Sequence, residues 1–272
     1  MTPAPEKQRP LALVTGASSG IGEAFSRALA ARGYDLALVA RRLDRLEALA
    51  EQLRTQHGCE AFAIQADLSI VEAHVPVMEA VEARGRTIDM LVNNAGYSIP
   101  KTFAATTWAE QRDFTMTLVV AVAGLTHAVL AGMIARRRGS IINVSSMAAL
   151  SPGAAGHTLY PAAKSFVLKF SLSLDAEVRK KGVRVTCLVP GFVESEFAIA
   201  NGTKELMDEA GRKYRMTAES VVEATLKAND KGRTVVIPGL INQFAAGLMK
   251  YLPDSLVAAI IRGAAEKYRV ED

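Results

Sequence analysis

Residues 11–22 read L-A-L-V-T-G-A-S-S-G-I-G, and the run E-A-F-S-R-A-L-A-A-R-G follows at 23–33. Leu11–Thr15 is a short apolar run closed by a β-branched residue, which predicts a buried strand. The second run carries apolar residues at helical spacing. Between them lie Gly16, Gly20 and Gly22. A strand that turns through glycines directly into a helix N-terminus leaves backbone amides free, with the positive end of the helix dipole behind them. Such a turn cradles an anion, and a pyrophosphate suits it. Gly16 permits the turn, Gly20 lets the backbone approach the ligand, and Gly22 allows the helix to pack closely. The spacing G-x-x-x-G-x-G differs from the G-x-G-x-x-G of the common dinucleotide fingerprint.

Further β-rich runs stand at Asp35–Ala40, Ala61–Gln65, Ile88–Val92, Ser140–Ser145, Val183–Val189 and Thr234–Ile237, with helical patterns between most of them. This alternation predicts an α/β fold: a doubly wound parallel sheet of about seven strands, helices on both faces, and ligands at the carboxyl ends of the strands. Two capping-box patterns, Ser69 with Glu72 and Thr107 with Glu110, predict helix starts. No linker or repeat divides the chain, so residues 1–272 read as one domain with residues 1–10 as a flexible lead-in.

Composition sets the outer bounds. The 272 residues are 50% hydrophobic and 22% charged, as in a globular protein and unlike a disordered one. Cys59 and Cys187 have neither pairing nor metal spacing and the four histidines are scattered, so no disulfide framework and no metal site is expected. That usage, with an N-terminus lacking an apolar signal core, suggests a reducing, cytoplasmic setting. A net charge of +4 and a pI near 9.1 raise nucleic acid as a partner. The cluster Arg136, Arg137 and Arg138, however, reads as a solvated cap on a long apolar helix, where cations complement the carbonyl end. Phe114–Ala135 carries no formal charge and nears the length of a membrane span. Thr115, Thr117, Gly124, Thr126, His127 and Gly132 within it favour instead a helix buried against a sheet and a second subunit.

Residues 159–166 read L-Y-P-A-A-K-S-F. On a helix Tyr160 and Lys164 share a face, and Pro161 suits a first helical position. Spacing alone leaves two readings open, a packed aromatic beside a solvated amine, or a chemical pair. Along the chain come T-G-x-x-x-G-x-G at 15–22, Asp67 in A-D-L, N-N-A-G at Asn93–Gly96, Ser146 in N-V-S-S, Tyr160-x-x-x-Lys164 and Pro190-Gly191. With these motifs in this order, the chain resembles the short-chain dehydrogenase/reductase family from Leu11 to Phe197. The resemblance implies a Rossmann fold and an oxidoreductase interconverting carbonyl and alcohol.

It also implies roles. Tyr160 is the proton donor and acceptor, Ser146 polarises the carbonyl, and Lys164 bonds the nicotinamide ribose while its ammonium lowers the phenol from its ordinary pKa of roughly 10. Ser145 is the less favoured serine. The cofactor contacts carried over are Thr15, Gly16, Ser18, Ser19, Gly20, Ile21 and Gly22 at the turn, Asp67 and Leu68 at the adenine, then Asn94, Ala95 and Gly96. Tyr160 and Lys164 serve the ribose, and Pro190, Gly191, Val193 and Ser195 the nicotinamide, with Ser195 where the family usually has threonine. The second strand closes V-A-R-R: NAD-preferring relatives carry an acid where Ala40 stands. Arg41 is expected to take a 2′-phosphate, with Arg42 either a second contact or a solvated residue, so NADP(H) is the expected cofactor.

Two departures stand out. Leu118 occupies the place of an asparagine that helps the family hold a relay water near the lysine, unless Thr115, one turn earlier, substitutes. Ser146 precedes Tyr160 by 14 residues, one more than usual, so the 151–157 loop is expected to bulge. The expected substrate is a hydrophobic or bulky small-molecule carbonyl or alcohol, walled largely by Phe192–Leu252, with 192–272 supplying that wall and C-terminal helices. A non-enzymatic NADP(H)-binding regulator or scaffold is the alternative, and a basic nucleic-acid binder a weaker third. The helices around Leu118–Ile134 and Tyr160–Lys180 resemble the family's dimer interface, implying a homodimer or homotetramer. Asn242–Tyr268 reads as two amphipathic helices over the cleft or a neighbouring subunit, with membrane-surface contact the weaker option.

Overall fold

The computed structural model describes residues 8–99, 101–153, 158–194, 215–253 and 255–257. Its strands are β1 (Leu11–Thr15), β2 (Asp35–Ala40), β3 (Ala61–Gln65), β4 (Ile88–Asn93), β5 (Gly139–Val144), β6 (Val183–Leu188), β7 (Val193–Glu194), β8 (Met216–Thr217) and β9 (Val235–Val236). Seven form one parallel sheet in the order β3-β2-β1-β4-β5-β6-β9, and β7 pairs with β8 apart from it. The helices are α1 (Gly20–Ala31), α2 (Leu43–His57), α3 (His74–Glu82), α4 (Trp108–Thr115), α5 (Ala121–Ala135), α6 (Leu159–Val178), α7 (Ala218–Asp230) and α8 (Leu240–Tyr251). All seven expected strands are present. β5 sits one residue earlier than expected, β6 ends one residue sooner, and the last strand is trimmed to Val235–Val236.

The strands are apolar on both faces because helices cover both. Val14, Leu36, Leu38 and Val92 pack on α1, α2 and α7 through Phe25, Leu29, Leu46 and Val222. Their neighbours Leu13, Val39 and Leu91, one residue out of phase, pack on α3, α5 and α6 through Val77, Leu125, Val129 and Leu174. The strand order reverses between β1 and β4, and a crevice opens at the carboxyl ends there.

Thr107 and Glu110 form the expected capping box: Glu110 N donates to Thr107 Oγ1 at 3.2 Å and Thr107 N to the Glu110 carboxylate at 2.7 Å. The Ser69–Glu72 pattern does not cap a helix. Ser69 gives both its N–H (3.0 Å) and its hydroxyl (2.8 Å) to Asp67 Oδ1, and the chain passes through Glu72 at φ 61° before α3 begins. An aspartate two residues upstream wins the competition for the serine, as in an Asx turn. Pro161 is the third residue of α6, within the turn whose N–H groups lack intrahelical partners.

The arginines after α5 are tied down rather than merely solvated. Arg136 donates to Ile88 O at 3.0 Å and Arg138 pairs with Asp89 at 2.7 Å, fastening the helix end to the start of β4. Trp108–Ala135 is long and apolar enough to cross a membrane by length and composition. Here its inner side lies on the sheet through Leu125, Val129 and Met133, while Val120 is 43% exposed on the other. Ser195, residues 154–157 of the 151–157 loop and all but the start of the second expected C-terminal helix lie outside the described residues.

Candidate active site

Gly16 adopts φ 66°, and a β-carbon at Gly22 would collide with the Gly16 carbonyl oxygen. The turn therefore closes on α1 only with glycine at both positions. Thr15 Oγ1 receives the N–H groups of Asn94 and Ala95, each at 3.0 Å, and Asn94 Nδ2 donates to Thr15 O at 2.9 Å. The T-G turn and the N-N-A-G segment thus form one unit. The side chains of Thr15 and Asn94 brace that unit.

At the rim, Arg42 Nη2 donates to Ser18 Oγ at 2.9 Å and to Ser19 Oγ at 3.0 Å. The cation drawn over the turn is Arg42, whereas Arg41 lies near Asp67 and Tyr97; burial raises the Tyr97 phenol, with the Arg41 charge opposing. Burial alone would raise Asp67, but the Ser69 hydrogen bonds and the Arg41 charge together hold it below the usual carboxylate range. Leu68 is buried beside it.

At the end of β5 the two serines part. Ser145 is buried, and its hydroxyl donates to Lys164 O at 2.7 Å, which pins α6 to the strand. Ser146 is half-buried, accepts from Ala148 N at 3.2 Å and lies close enough to the Tyr160 phenol to influence its titration. Sequence reasoning placed Ser146 ahead of Ser145 and missed the positioning work of Ser145. Lys164 Nζ donates to Val144 O at 2.9 Å and stands 5.7 Å from the Tyr160 ring centroid.

Burial pulls the Lys164 amine from its ordinary 10.5 down to about 8, with Cys187 opposing. Burial also raises the Tyr160 phenol, with the Ser146 hydrogen bond opposing. The expected lowering of Tyr160 by Lys164 is therefore absent. The amine is directed to a backbone carbonyl, and loss of solvent outweighs its charge.

A π-helical turn, Met116–Val120, links α4 to α5 and carries Leu118, which is 1% exposed. A β-carbon on Gly96 would stand 3.6 Å from both Leu118 Cγ and Lys164 Nζ, so this leucine and the lysine amine both border Gly96. The Thr115 hydroxyl, one turn earlier, donates to Gln111 O at 2.8 Å. Leu118 packs with Phe114 and Ala163, and Tyr97, Ile99 and Leu159 extend this apolar wall to Tyr160. Tyr97 meets Phe114 edge-on at 5.4 Å. On the far side Asn242 of α8 abuts Gly191.

Beneath the site runs a polar chain absent from the sequence reading. Asn93 Nδ2 donates to Thr126 Oγ1 (3.1 Å) and Asn143 Oδ1 (2.8 Å), and Asn143 Nδ2 donates to Ser171 Oγ (2.9 Å). It ties α5, β4, β5 and α6 together. The available signal was an asparagine closing or interrupting an apolar strand, in L-V-N and I-I-N-V. Among the described residues no group of three or more His, Cys, Asp or Glu side chains is placed to share a metal.

One cleft thus holds an anion cradle, two facing hydroxyls and an amine behind them, and residues 10–206 match the family model for short chain dehydrogenase. The chain belongs to the short-chain dehydrogenase family. It is 34% identical over 247 residues to the NADP-dependent 3-hydroxy acid dehydrogenase YdfG of Salmonella typhi, covering 86% of this chain and 97% of that one. Among solved structures, a 7beta-hydroxysteroid dehydrogenase superposes with a TM-score of 0.86 at 26% identity, over 93% of this chain and 96% of that one. A short-chain dehydrogenase from Sphingobium yanoikuyae in complex with NADPH gives 0.76 at 32% identity, over 90% and 97%. This short-chain dehydrogenase is accordingly an oxidoreductase.

Proposed function

We propose that this short-chain dehydrogenase uses NADP(H) to interconvert a hydrophobic carbonyl compound and its alcohol, with Ser146, Tyr160 and Lys164 as its catalytic residues. The observation that carries the reading is the pairing of Tyr160 and the buried Lys164 amine one turn apart on α6, with the Ser146 hydroxyl close enough to oppose the rise of the Tyr160 phenol. The glycine cradle fits a dinucleotide, since Gly22 leaves no room for a β-carbon. Arg42 with Ser18 and Ser19 supplies a cation and hydroxyls for a 2′-phosphate. NADP is further supported by the NADP-dependent relative and the NADPH-bound neighbour.

When bound, the nicotinamide supplies or takes up the hydride. Tyr160 gives its proton to the carbonyl oxygen during reduction and takes it back during oxidation. Ser146 holds that oxygen as charge develops on it. Lys164, anchored on Val144, offers its remaining N–H groups to the ribose and its charge to the phenolate that forms. The wall of Tyr97, Ile99, Phe114 and Leu159 favours an apolar substrate, as does the fold likeness to a steroid dehydrogenase. Ser195 is proposed at the carboxamide. Val120 and Leu172, exposed on the outer helices, support a homodimer or homotetramer. The buried free thiols of Cys59 and Cys187 are compatible with a cytoplasmic setting. The test is NADPH oxidation against a panel of aliphatic, aromatic and steroid-like ketones and aldehydes. Absence of turnover across the panel, with NADPH bound, would reject the enzymatic reading.

A further inference from the structure

The sheet has a second polar end. At the amino edge of the strands, opposite the cleft just described, a cavity of about 460 Å³ is bounded by Gln8, Arg9, Tyr34, Asp89, Arg138 and Arg184. These residues stand at or just before the starts of β1, β2, β4, β5 and β6. The volume falls in the range of small-molecule sites.

The cavity's charge is unbalanced. Three guanidinium groups line it with a single carboxylate, and that carboxylate is already engaged. Asp89 Oδ1 accepts from Arg138 at 2.7 Å, and Oδ2 from Leu11 N at 3.0 Å. Arg9 gives one nitrogen to His57 O at 3.2 Å. The Arg184 guanidinium is exposed and makes no hydrogen bond or ion pair with the described residues, and the Tyr34 hydroxyl likewise has no hydrogen-bond partner among them. Burial raises the Tyr34 phenol, with the Arg184 charge nearby opposing. The hydroxyl therefore keeps its proton at working pH and remains a donor.

We propose that this cavity is a binding site for a small phosphate-bearing molecule, held by Arg138, Arg184 and the Tyr34 hydroxyl and separate from the cofactor cleft. A phosphate monoester carries about −1.5 to −2 at neutral pH, close to the surplus of cations over carboxylate here. Guanidinium forks present paired N–H donors at the spacing of two phosphate oxygens, and a phenol adds a third donor. The same cations repel a metal ion.

The test titrates the NADPH-saturated protein with inorganic phosphate at constant ionic strength, so that the cradle and the 2′-phosphate seat are already filled. One phosphate should bind. Arg184→Glu should weaken it at least tenfold, Tyr34→Phe severalfold, and malonate dianion should bind at least tenfold more weakly than phosphate. Arg184 projects to solvent from β6, so its variant should fold and, without added phosphate, keep wild-type turnover. Equal phosphate binding by Arg184→Glu, no binding to the wild type, or malonate binding as tightly would each overturn the proposal. Failure of NADPH itself to bind would strike the cofactor reading alone, because the wild type and Arg184→Glu can still be compared without it.

Discussion

The Lys164 amine donates to the Val144 carbonyl at 2.9 Å in a space bordered by Leu118 and Gly96. A cation held there has exchanged water for one carbonyl, and its pKa of about 8 expresses that loss.

This depression makes the stability of the free protein depend on pH. Between about 8 and 10.5 the unfolded chain keeps the Lys164 proton that the folded protein has released. Stability therefore rises with pH across that window and is lowest below it. From pH 7 to 9 the gain is about 1 kcal/mol. Cys187, pushed up from 9.0 to about 12 by burial, works the other way above its ordinary value. Urea midpoints of the wild type and Lys164→Met, compared at both pH values, isolate the lysine. The difference between them should shrink or widen by that amount in favour of the wild type at pH 9, and a pH-independent difference would refute the assignment.

Arg42 rather than Arg41 should carry most of the preference for NADPH, because it is Arg42 that reaches Ser18 and Ser19. A hydrogen bond to a charged group contributes about 1.5–3 kcal/mol. Arg42→Ala should thus raise the NADPH dissociation constant by roughly 10- to 100-fold and leave NADH nearly unchanged, read by fluorescence titration. A larger effect from Arg41→Ala would reverse the assignment.

The fold was legible because two physical periods were clean: β-rich runs with helical patterns between them, and glycines where a strand must turn into a helix. The shared face of Tyr160 and Lys164 was legible because i to i+4 spacing on a helix fixes it, whereas Ser146 was singled out only through the order of motifs that the chain shares with its family. What sequence did not reveal depends on which neighbour each polar group finds. Ser69 pairs with Asp67 instead of capping a helix, Ser145 pins the backbone of Lys164, and Lys164 turns to Val144 O. Each is a choice among partners brought close by tertiary packing, and local sequence does not order those partners.

Tyr160→Phe removes the proton donor while keeping the ring that packs with Leu118 and Ala163. Turnover should fall by about 10²- to 10⁴-fold with NADPH affinity within about twofold of the wild type, since the ring's packing persists. Steady-state kinetics beside NADPH titration checks both halves. Normal turnover by the variant would exclude Tyr160 as the acid.

Away from the cleft, Arg86 is buried and pairs with Asp35 at 2.8 Å and with Glu60, beneath the first strands. Arg86→Met leaves the buried Asp35 carboxylate without its cation and should cost about 3–5 kcal/mol in denaturant unfolding. Adding Asp35→Asn should recover part of that loss. A double variant less stable than Arg86→Met would show that the carboxylate is held mainly by its other contacts.

Leu118→Asn tests the place where the chain leaves its family's pattern. The side chain is 1% exposed among Phe114 and Ala163, so the amide N–H₂ finds few acceptors there and should destabilise the fold by about 1–3 kcal/mol. Its oxygen, however, would enter the space at Gly96 that the Lys164 ammonium also borders, and that ammonium has N–H groups to spare after bonding Val144. A hydrogen bond accepted from the charged form favours that form, so the Lys164 pKa should rise from about 8, and the pH profile of kcat should shift to higher pH with it. If the family's asparagine serves a proton relay, kcat should also increase, by less than the roughly 10²- to 10⁴-fold that general acid catalysis supplies in total, with NADPH affinity unchanged. Lower thermal stability, a shifted profile and a modest gain in kcat together would support leucine as a plug on the proton path. Lower stability with an unmoved profile and no gain would show that Leu118 serves packing alone.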